Sequence, residues 1–205
     1  QPNNVPFVLL GPGMLWFVWF VFNAGSALAA NETAVLAFLT TNTASATAML
    51  GWILYDAIQG RKPSAMGAAI GAVVGLVAIT PAAGYVTVGA SVLIGLAASV
   101  ISNFAVHWKN KSTLDDTLDV FPCHGVGGIV GMIATGIFAS RVGLIYGETH
   151  TFLMHLVALA IVAAFTFCGS YILYKVVDKI IQLRVTGKEE EMGLDLSQHD
   201  ESATA

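Results

Sequence analysis

Residues 118–139, LDVFPCHGVGGIVGMIATGIFA, join two ionisable side chains to a long apolar run. A bilayer-spanning helix needs about 20 predominantly apolar residues, and this stretch has that length. Asp119 and His124 lie near its start. Ionisable groups inside a membrane usually face the protein interior or a cavity, and they are often functional. The stretch therefore predicts a transmembrane helix whose first turns carry a specific role.

The whole chain has the composition of a membrane protein. Hydrophobic residues make up 56% of its 205 positions and charged residues only 11%, and the mean hydropathy is +0.73. The charges crowd into short segments, which leaves little sequence for a soluble domain. We predict an all-α polytopic membrane protein with six spans, at residues 5–30, 33–58, 64–80, 86–106, 118–139 and 151–181.

Basic residues predict the orientation of these spans. If the six spans alternate in direction, every Lys and Arg except Arg141 falls on the same side. The side with the excess of basic residues is usually cytoplasmic. We therefore predict that both ends of the chain are cytoplasmic, with a transmembrane bundle over residues 1–182 and a solvated tail, rich in Glu and Asp, over residues 183–205.

Glycines recur at intervals of four residues in two of the predicted spans. They occur at Gly67, Gly71 and Gly75 in the third span, and at Gly127 and Gly131 in the fifth. A stripe of glycines on one helix face lets a neighbouring backbone approach closely. The pattern predicts a tightly packed helical bundle.

A stripe of side chains at helical spacing runs along the first span. Leu15, Trp19, Phe22 and Ser26 are separated by four, three and four residues, which places them on one face. Two interpretations are open. The stripe is either ordinary packing, which the spacing alone favours, or one wall of a narrow path whose aromatic faces attract a small cation and whose serine accepts a hydrogen bond from it.

His124 also allows two interpretations. A buried neutral histidine can simply donate to a carbonyl group, but intramembrane ionisable residues favour a functional role. We expect Asp119 only to cap the helix or to bind nearby backbone N–H groups. Cys123 and His124 are adjacent and point about 100° apart on a helix, so we predict no metal site. We also predict no cofactor and no enzymatic activity.

Three motifs together resemble a known family. They are WFVWFVFNAGSALAANE at residues 16–32, DDTLDVFPCHGVGGIVGMIATGIFA at 115–139, and a tail of the form LRV…EEEMGLDLSQH at 183–199. In this order they resemble the second half of the Amt/Mep/Rh ammonium transporter family, on the Amt side. The resemblance implies helices 6 to 11 of an eleven-helix fold, in which two inverted halves enclose a pore and three protomers form a trimer.

The resemblance also implies roles for individual residues. His124 corresponds to one of two facing pore histidines, Phe22 to an outer gate phenylalanine and Ser26 to a hydroxyl at the external cation site. Asp119 corresponds to a structural carboxylate. Pro122 departs from the family's commoner glycine or alanine, and it leaves the local shape before His124 open. The family's narrow apolar passage is lined by residues to which Trp19, Leu15 and Val120 correspond.

The function implied is ammonium or ammonia transport for nitrogen uptake across the cell membrane. The implied partners are the lipid bilayer, two further copies in a homotrimer, and a PII-type regulatory protein on the cytoplasmic side. No nucleic acid is expected. The chain begins with Gln1, and we expect it to be a fragment whose partner is the N-terminal half of the same transporter. The alternatives are an ammonium sensor, an Rh-type gas channel, or a membrane subunit that transports nothing.

Overall fold

The computed structural model describes residues 4–202, so the predicted bundle and tail each have a few end residues outside the described range. The chain forms two compact units, one ending at Leu159 and the other beginning at Ala160. The first contains α1 (Val5–Gly25), α2 (Glu32–Ile58), α3 (Ala65–Ile79), α4 (Val88–Lys109), a π-helix (Phe121–Val126), α5 (Gly127–Phe138) and a 3₁₀ turn (Leu144–Tyr146). The helix α6 (Thr149–Ile180) begins in the first unit and continues into the second, where α7 (Gly187–Met192) and α8 (Leu194–His199) follow.

Five helical segments are long and apolar enough to cross a bilayer. They are α1, α2, α4, the π-helix with α5, and α6, and they fall within or close to five of the predicted spans. The remaining prediction, at residues 64–80, corresponds to α3, which has only 15 residues. A helix of that length is about 22 Å long, which is shorter than the hydrocarbon core of about 30 Å. The protein is therefore a multi-pass membrane protein, with five full-length spans and one shorter apolar helix among residues 4–202.

Polar side chains define where the first four helices begin. Each N-cap residue accepts a hydrogen bond from the backbone N–H three positions later, which satisfies one of the free donors at a helix start. These residues are Asn4, Asn31, Ser64 and Thr87. The boundaries are set by local chemistry, although the length of the spans is set by apolar composition.

The predicted glycine stripe brings α3 against α2. A Cβ atom added at Gly71 would stand 2.8 Å from the carbonyl oxygen of Ala48, and one added at Gly75 would stand 2.5 Å from that of Ala44. In α5, a Cβ on Gly131 would collide with the backbone of Ala78. Only hydrogen fits at these contacts, so the prediction of a tight bundle is confirmed.

The second unit includes the tail, which forms two short helices. Thr186 caps α7 and forms a capping box with Glu189. Gly193 has a φ of 99°, a conformation that favours glycine, and it separates α7 from α8. The Ser197 hydroxyl donates to the carbonyl oxygen of Glu189 at 3.3 Å, which holds the two helices together. The tail is thus locally folded, and Met192, Leu194 and Leu196 are exposed on it.

Candidate functional site

The predicted stripe on α1 is held in place by aromatic and polar contacts. Trp19 Nε1 donates a hydrogen bond of 2.8 Å to the hydroxyl oxygen of Thr80, just beyond α3. The Trp19 and Phe22 rings meet edge to face, with centroids 5.8 Å apart. Leu15 and Phe22 are exposed. Trp19 therefore joins α1 to the short helix, and Phe22 is placed beside it with an open face.

Ser26 follows the last residue of α1 and serves as its C-cap. Its hydroxyl donates a hydrogen bond of 2.6 Å to the carbonyl oxygen of Phe22. Because the hydroxyl proton is used in that bond, the lone pairs of the oxygen are left to accept from another donor. The span predicted at residues 5–30 was too long at this end, since the helix stops at Gly25 and residues 26–30 form turns and bends.

A cavity of about 240 Å³ opens next to Phe22 and Ser26. Its other walls come from the start of α2 and from the turn between α3 and α4, including Thr33, Thr80 and Tyr85. Aromatic rings and hydroxyl oxygens are groups that bind a small cation bearing N–H donors. The structure thus places Phe22 and Ser26 in the lining of one small cavity.

His124 lies in the π-helix that precedes α5. Its two preceding neighbours, Pro122 and Cys123, are buried, whereas the His124 side chain is exposed, as is that of Val120. π-helical turns are rare and are frequent at functional sites. Pro122 occupies the first turn of this segment, where a missing N–H is tolerated. The departure from glycine or alanine at this position is therefore accommodated without breaking the helix.

The helix carrying His124 begins later than residue 118. Asp119 has a φ of 53°, which is incompatible with a helical residue, and the π-helix starts at Phe121. His124 is therefore about 5 Å from the helix start rather than the 9 Å predicted from Leu118. The helix starts later because of the polar side chains that precede it, and the periodicity of apolar residues alone does not reveal this boundary.

The capping role expected for Asp119 belongs to Asp116 instead. The two carboxylate oxygens of Asp116 accept hydrogen bonds of 2.9 Å from the backbone N–H groups of Val120 and Phe121. This satisfies two donors at the helix start. The prediction for Asp119 was wrong in this respect, because both residues precede the apolar run and spacing did not distinguish them.

Asp119 forms an ion pair with Lys109, the last residue of α4. Lys109 Nζ lies 2.7 Å from Asp119 Oδ1, and the Lys109 side chain is only 9% exposed. The same ammonium group donates to the carbonyl oxygen of Asp116 at 2.7 Å. Lys109 therefore ties the segment before His124 to α4. Sequence reasoning missed both Lys109 and Asp116, although their charges beside an apolar run were a usable signal.

The site residues thus fall into three groups. On the stripe, Phe22 contacts both Trp19 and Ser26, and Phe22 and Ser26 line the cavity at the end of α1, whereas Leu15 is exposed and does not line it. His124 and Val120 are exposed at the start of the π-helix. Asp119 lies in the ion pair with Lys109. Asn23 was not singled out from the sequence; it is buried next to Phe22, and its amide donates to the Thr41 hydroxyl oxygen at 2.9 Å.

The fold is that of a multi-pass helical membrane protein. Residues 1–204 match the family described as the Ammonium Transporter Family. The chain belongs to this family.

Three relatives illustrate the similarity. The chain is 43% identical over 208 residues to the ammonium transporter Amt1 of Archaeoglobus fulgidus, an alignment that covers 99% of this chain and 53% of Amt1. The crystal structure of Saccharomyces cerevisiae Mep2 matches with a TM-score of 0.89 and 35% identity, over 100% of this chain and 50% of Mep2. A structure described as a sensor Amt protein matches with a TM-score of 0.88 and 30% identity, over 96% of this chain and 50% of that one. The chain spans about half the length of these relatives.

Proposed function

We propose that the protein transports ammonium or ammonia across the cell membrane and that the cavity beside Phe22 and Ser26 is its outer binding site. One observation carries the assignment of the site. The Ser26 hydroxyl donates its proton to the Phe22 carbonyl oxygen. The lone pairs of the hydroxyl oxygen are therefore available to accept hydrogen bonds from another donor. Ammonium supplies four N–H donors and a positive charge that the Phe22 ring attracts.

His124 then lines the dry part of the path, together with Val120 and Leu15. An unpaired cation in an apolar passage carries a large desolvation cost, whereas neutral ammonia carries a much smaller one. An imidazole nitrogen can accept or return the proton that ammonium must give up, because the ring has two nitrogens that each act as donor or acceptor. Potassium has no proton to release and is therefore rejected. The exposed position of His124 at the start of its helix supports this role.

We propose that other helices of the transporter pack against the exposed apolar side chains around these residues. Phe22, Val120 and Phe121 are large apolar groups that are exposed in this chain. Inverted-repeat transporters place the substrate between two halves, and we propose that this chain corresponds to helices 6 to 11 and packs against helices 1 to 5. The assembly proposed is a homotrimer with cytoplasmic chain ends, regulated through its tail and by a PII-type protein.

A sensor is the second candidate, because a sensor Amt protein has nearly the same fold at 30% identity. A sensor binds ammonium at the outer site without passing it through the membrane. The two functions therefore share Phe22 and Ser26 and differ in flux.

Flux measurements in proteoliposomes test the proposal. The complete transporter should take up ammonium and exclude potassium, and Phe22→Ala should change the flux. Phe17→Ala is a matched control, because Phe17 is on the same helix and is exposed, but lies off the stripe. Ser26→Ala should weaken the dependence of uptake on ammonium concentration. Ammonium binding without flux would establish the sensor. Wild-type uptake in both Phe22→Ala and Ser26→Ala would refute the outer site.

A further inference from the structure

A larger cavity, of about 700 Å³, adjoins the cavity beside Phe22 and Ser26. Thr33 and Tyr85 line both of them, so the two cavities share a wall. The rest of the larger cavity is formed by the turn after α3, by the end of α5 with the loop that follows it, and by the first turns of α6. All of these segments belong to the first unit.

The lining of the larger cavity offers hydrogen-bond donors and a cation. Arg141 supplies a guanidinium group, and hydroxyl groups are supplied by Thr33, Tyr85, Ser140 and Thr151. Within the part of the chain that the structure describes, no carboxylate lines the cavity. Thr33 and Thr151 also lie in the first turns of α2 and α6, and the backbone dipoles at the N-terminal end of a helix favour negative charge. The electrostatics of this cavity therefore favour an anion.

Arg141 is held on a tightly folded loop and has no partner for its charge. Its φ is 69°, a left-handed conformation that is uncommon for a residue other than glycine. The loop is fixed by backbone hydrogen bonds, from Ser140 to the carbonyl oxygen of Tyr85 at 2.8 Å and from Gly143 to that of Ala139 at 2.7 Å. Among residues 4–202, the Arg141 side chain forms neither an ion pair nor a hydrogen bond. Its donors are therefore available to a ligand.

His155 adds an unpaired polar atom to the same cavity. This residue is on α6 and packs against α5, where a Cβ atom added at Gly136 would stand 3.4 Å from the Cβ of His155. The His155 Nδ1 atom is buried and has no hydrogen-bond partner among the described residues. A buried polar atom without a partner costs free energy, and such atoms are rare in native structures. In the tautomer that carries its proton on Nδ1, His155 can donate to an anion in the cavity.

We propose that the larger cavity binds a small carboxylate anion, and that the bound anion raises the affinity of the adjoining cavity for ammonium. The guanidinium group of Arg141 can bind a carboxylate through two parallel N–H···O hydrogen bonds. The lining hydroxyl groups and the His155 imidazole donate to the remaining oxygen lone pairs. An organic carboxylate is favoured over inorganic phosphate because apolar side chains also line the cavity, namely those of Leu36, Pro81 and Val142.

The effect on ammonium rests on the proposed function, whereas carboxylate binding itself does not. A negative charge in the larger cavity attracts a cation in the smaller one, because the two share the wall formed by Thr33 and Tyr85. The attraction is stronger inside the protein than in bulk water, since the effective dielectric constant is lower there. By linkage, ammonium must raise the affinity for the carboxylate by the same factor.

Isothermal titration calorimetry of the complete transporter tests the carboxylate site, with succinate, its uncharged analogue succinamide, and inorganic phosphate as probes. Succinate should bind and succinamide should not. Arg141→Gln should weaken succinate binding about ten-fold, the loss expected for one charge-assisted hydrogen bond. Arg141→Lys keeps the charge but loses the planar fork, so its loss should be smaller. Lys62→Gln is the matched control, because Lys62 is an exposed basic residue that does not line the cavity.

Four calorimetric results would each overturn the carboxylate site. They are equal binding of succinate and succinamide, tighter binding of phosphate than of succinate, equal losses in Arg141→Gln and Lys62→Gln, and no binding of succinate to the wild-type protein. The last result is expected if a carboxylate from the N-terminal half of the transporter already occupies the cavity.

Ammonium titrations with and without saturating succinate test the coupling between the two cavities. Succinate should lower the Kd for ammonium about five-fold in the wild-type protein, and Arg141→Gln should remove the difference. An ammonium affinity that is the same with and without succinate would overturn the coupling. No ammonium binding under either condition would overturn the coupling together with the proposed outer site, whereas the carboxylate site is decided by its own titration.

Discussion

Lys109 Nζ and Asp119 Oδ1 are 2.7 Å apart, and this ion pair fixes the segment that leads into His124. Removing one partner of a largely buried pair costs about 3 kcal/mol, because the remaining charge loses its compensation. We expect Lys109→Met to lower the free energy of unfolding by about 3 kcal/mol. Asp119→Asn should cost less, because asparagine tolerates the positive φ at this position and can still accept from Lys109.

A double-mutant cycle checks this expectation. Thermal unfolding in detergent is measured for Lys109→Met, Asp119→Asn and the combination. The combined variant should be less destabilised than the sum of the two single variants. Strict additivity would mean that the pair contributes no coupling.

Among the three glycines of the α3 stripe, Gly75 makes the closest contact with α2. A methyl group there would meet the carbonyl oxygen of Ala44 at 2.5 Å and the Ala48 side chain at 2.7 Å. Gly75→Ala should therefore destabilise the protein by about 1–3 kcal/mol through overpacking. Gly128→Ala is the control, because a Cβ at Gly128 meets nothing within 4 Å. Equal thermal midpoints for the two variants would contradict close packing at Gly75.

Much of the bundle was predictable because apolar length and glycine spacing are strong local signals. Five of the six predicted spans correspond to long helical segments and the sixth to the shorter helix α3, and the stripe at Gly67, Gly71 and Gly75 meets α2 as expected. Phe22 and Ser26 lie about one turn apart, as helical spacing predicted, but the spacing did not predict the cavity beside them.

Polar contacts between distant segments could not be predicted. Asp119 was expected to cap the helix and Asp116 was not singled out, and only the fold shows that Asp116 accepts at the helix start while Lys109 approaches Asp119. Likewise, Trp19 is on a visible stripe, but its partner Thr80 is 61 residues away. The π-helical turn at residues 121–126 has no periodic signature of its own.

His124 is predicted to be essential for selective transport. In the complete transporter, His124→Ala removes the imidazole that we propose exchanges a proton with the substrate. We expect ammonium uptake to be abolished, or to lose its selectivity over potassium, with assembly unchanged. Uptake assays with ammonium and with potassium measure the selectivity of the variant, and size-exclusion chromatography measures its assembly. Wild-type uptake with intact potassium rejection would remove His124 from the mechanism.

The capping box of α7 predicts a pH dependence for the tail. Hydrogen bonds from the Thr186 hydroxyl and backbone N–H to the Glu189 carboxylate lower the pKa of Glu189. A carboxyl group with a lowered pKa in the folded state stabilises that state above its ordinary pKa, and this contribution disappears as the pH falls through the lowered value. We expect the helical signal of α7 to weaken on acidification over that range.

Nuclear magnetic resonance shifts of residues 186–192 provide the measurement. Glu189→Gln keeps an acceptor oxygen but carries no charge, so its helical signal should lack the pH dependence attributed to this carboxylate. A wild-type signal that stays constant through the titration would show that the cap does not depend on ionisation.

The tail is predicted to support transport without holding the trimer together. Met192, Leu194 and Leu196 are exposed on α7 and α8, and we propose that they dock against loops on the cytoplasmic side. Deleting residues 187–205 from the complete transporter should lower uptake and leave trimers intact, because the trimer contacts are proposed to lie in the membrane. Uptake and oligomer size are measured on the same preparation. Full activity without the tail would make it a passive terminus.

The π-helical turn at Phe121–Val126 makes the protein unequally tolerant of changes in chain length. A π-turn contains one residue more than the α-helical turn that replaces it when a residue is lost. A deletion inside this turn would therefore give a regular helix whose flanking segments keep nearly the same orientation, and the side chains that would change direction are those within the turn itself, His124 among them. His124 would turn away with its neighbours, so insertions and deletions among homologous chains should accumulate in the preceding loop and be absent from these six residues.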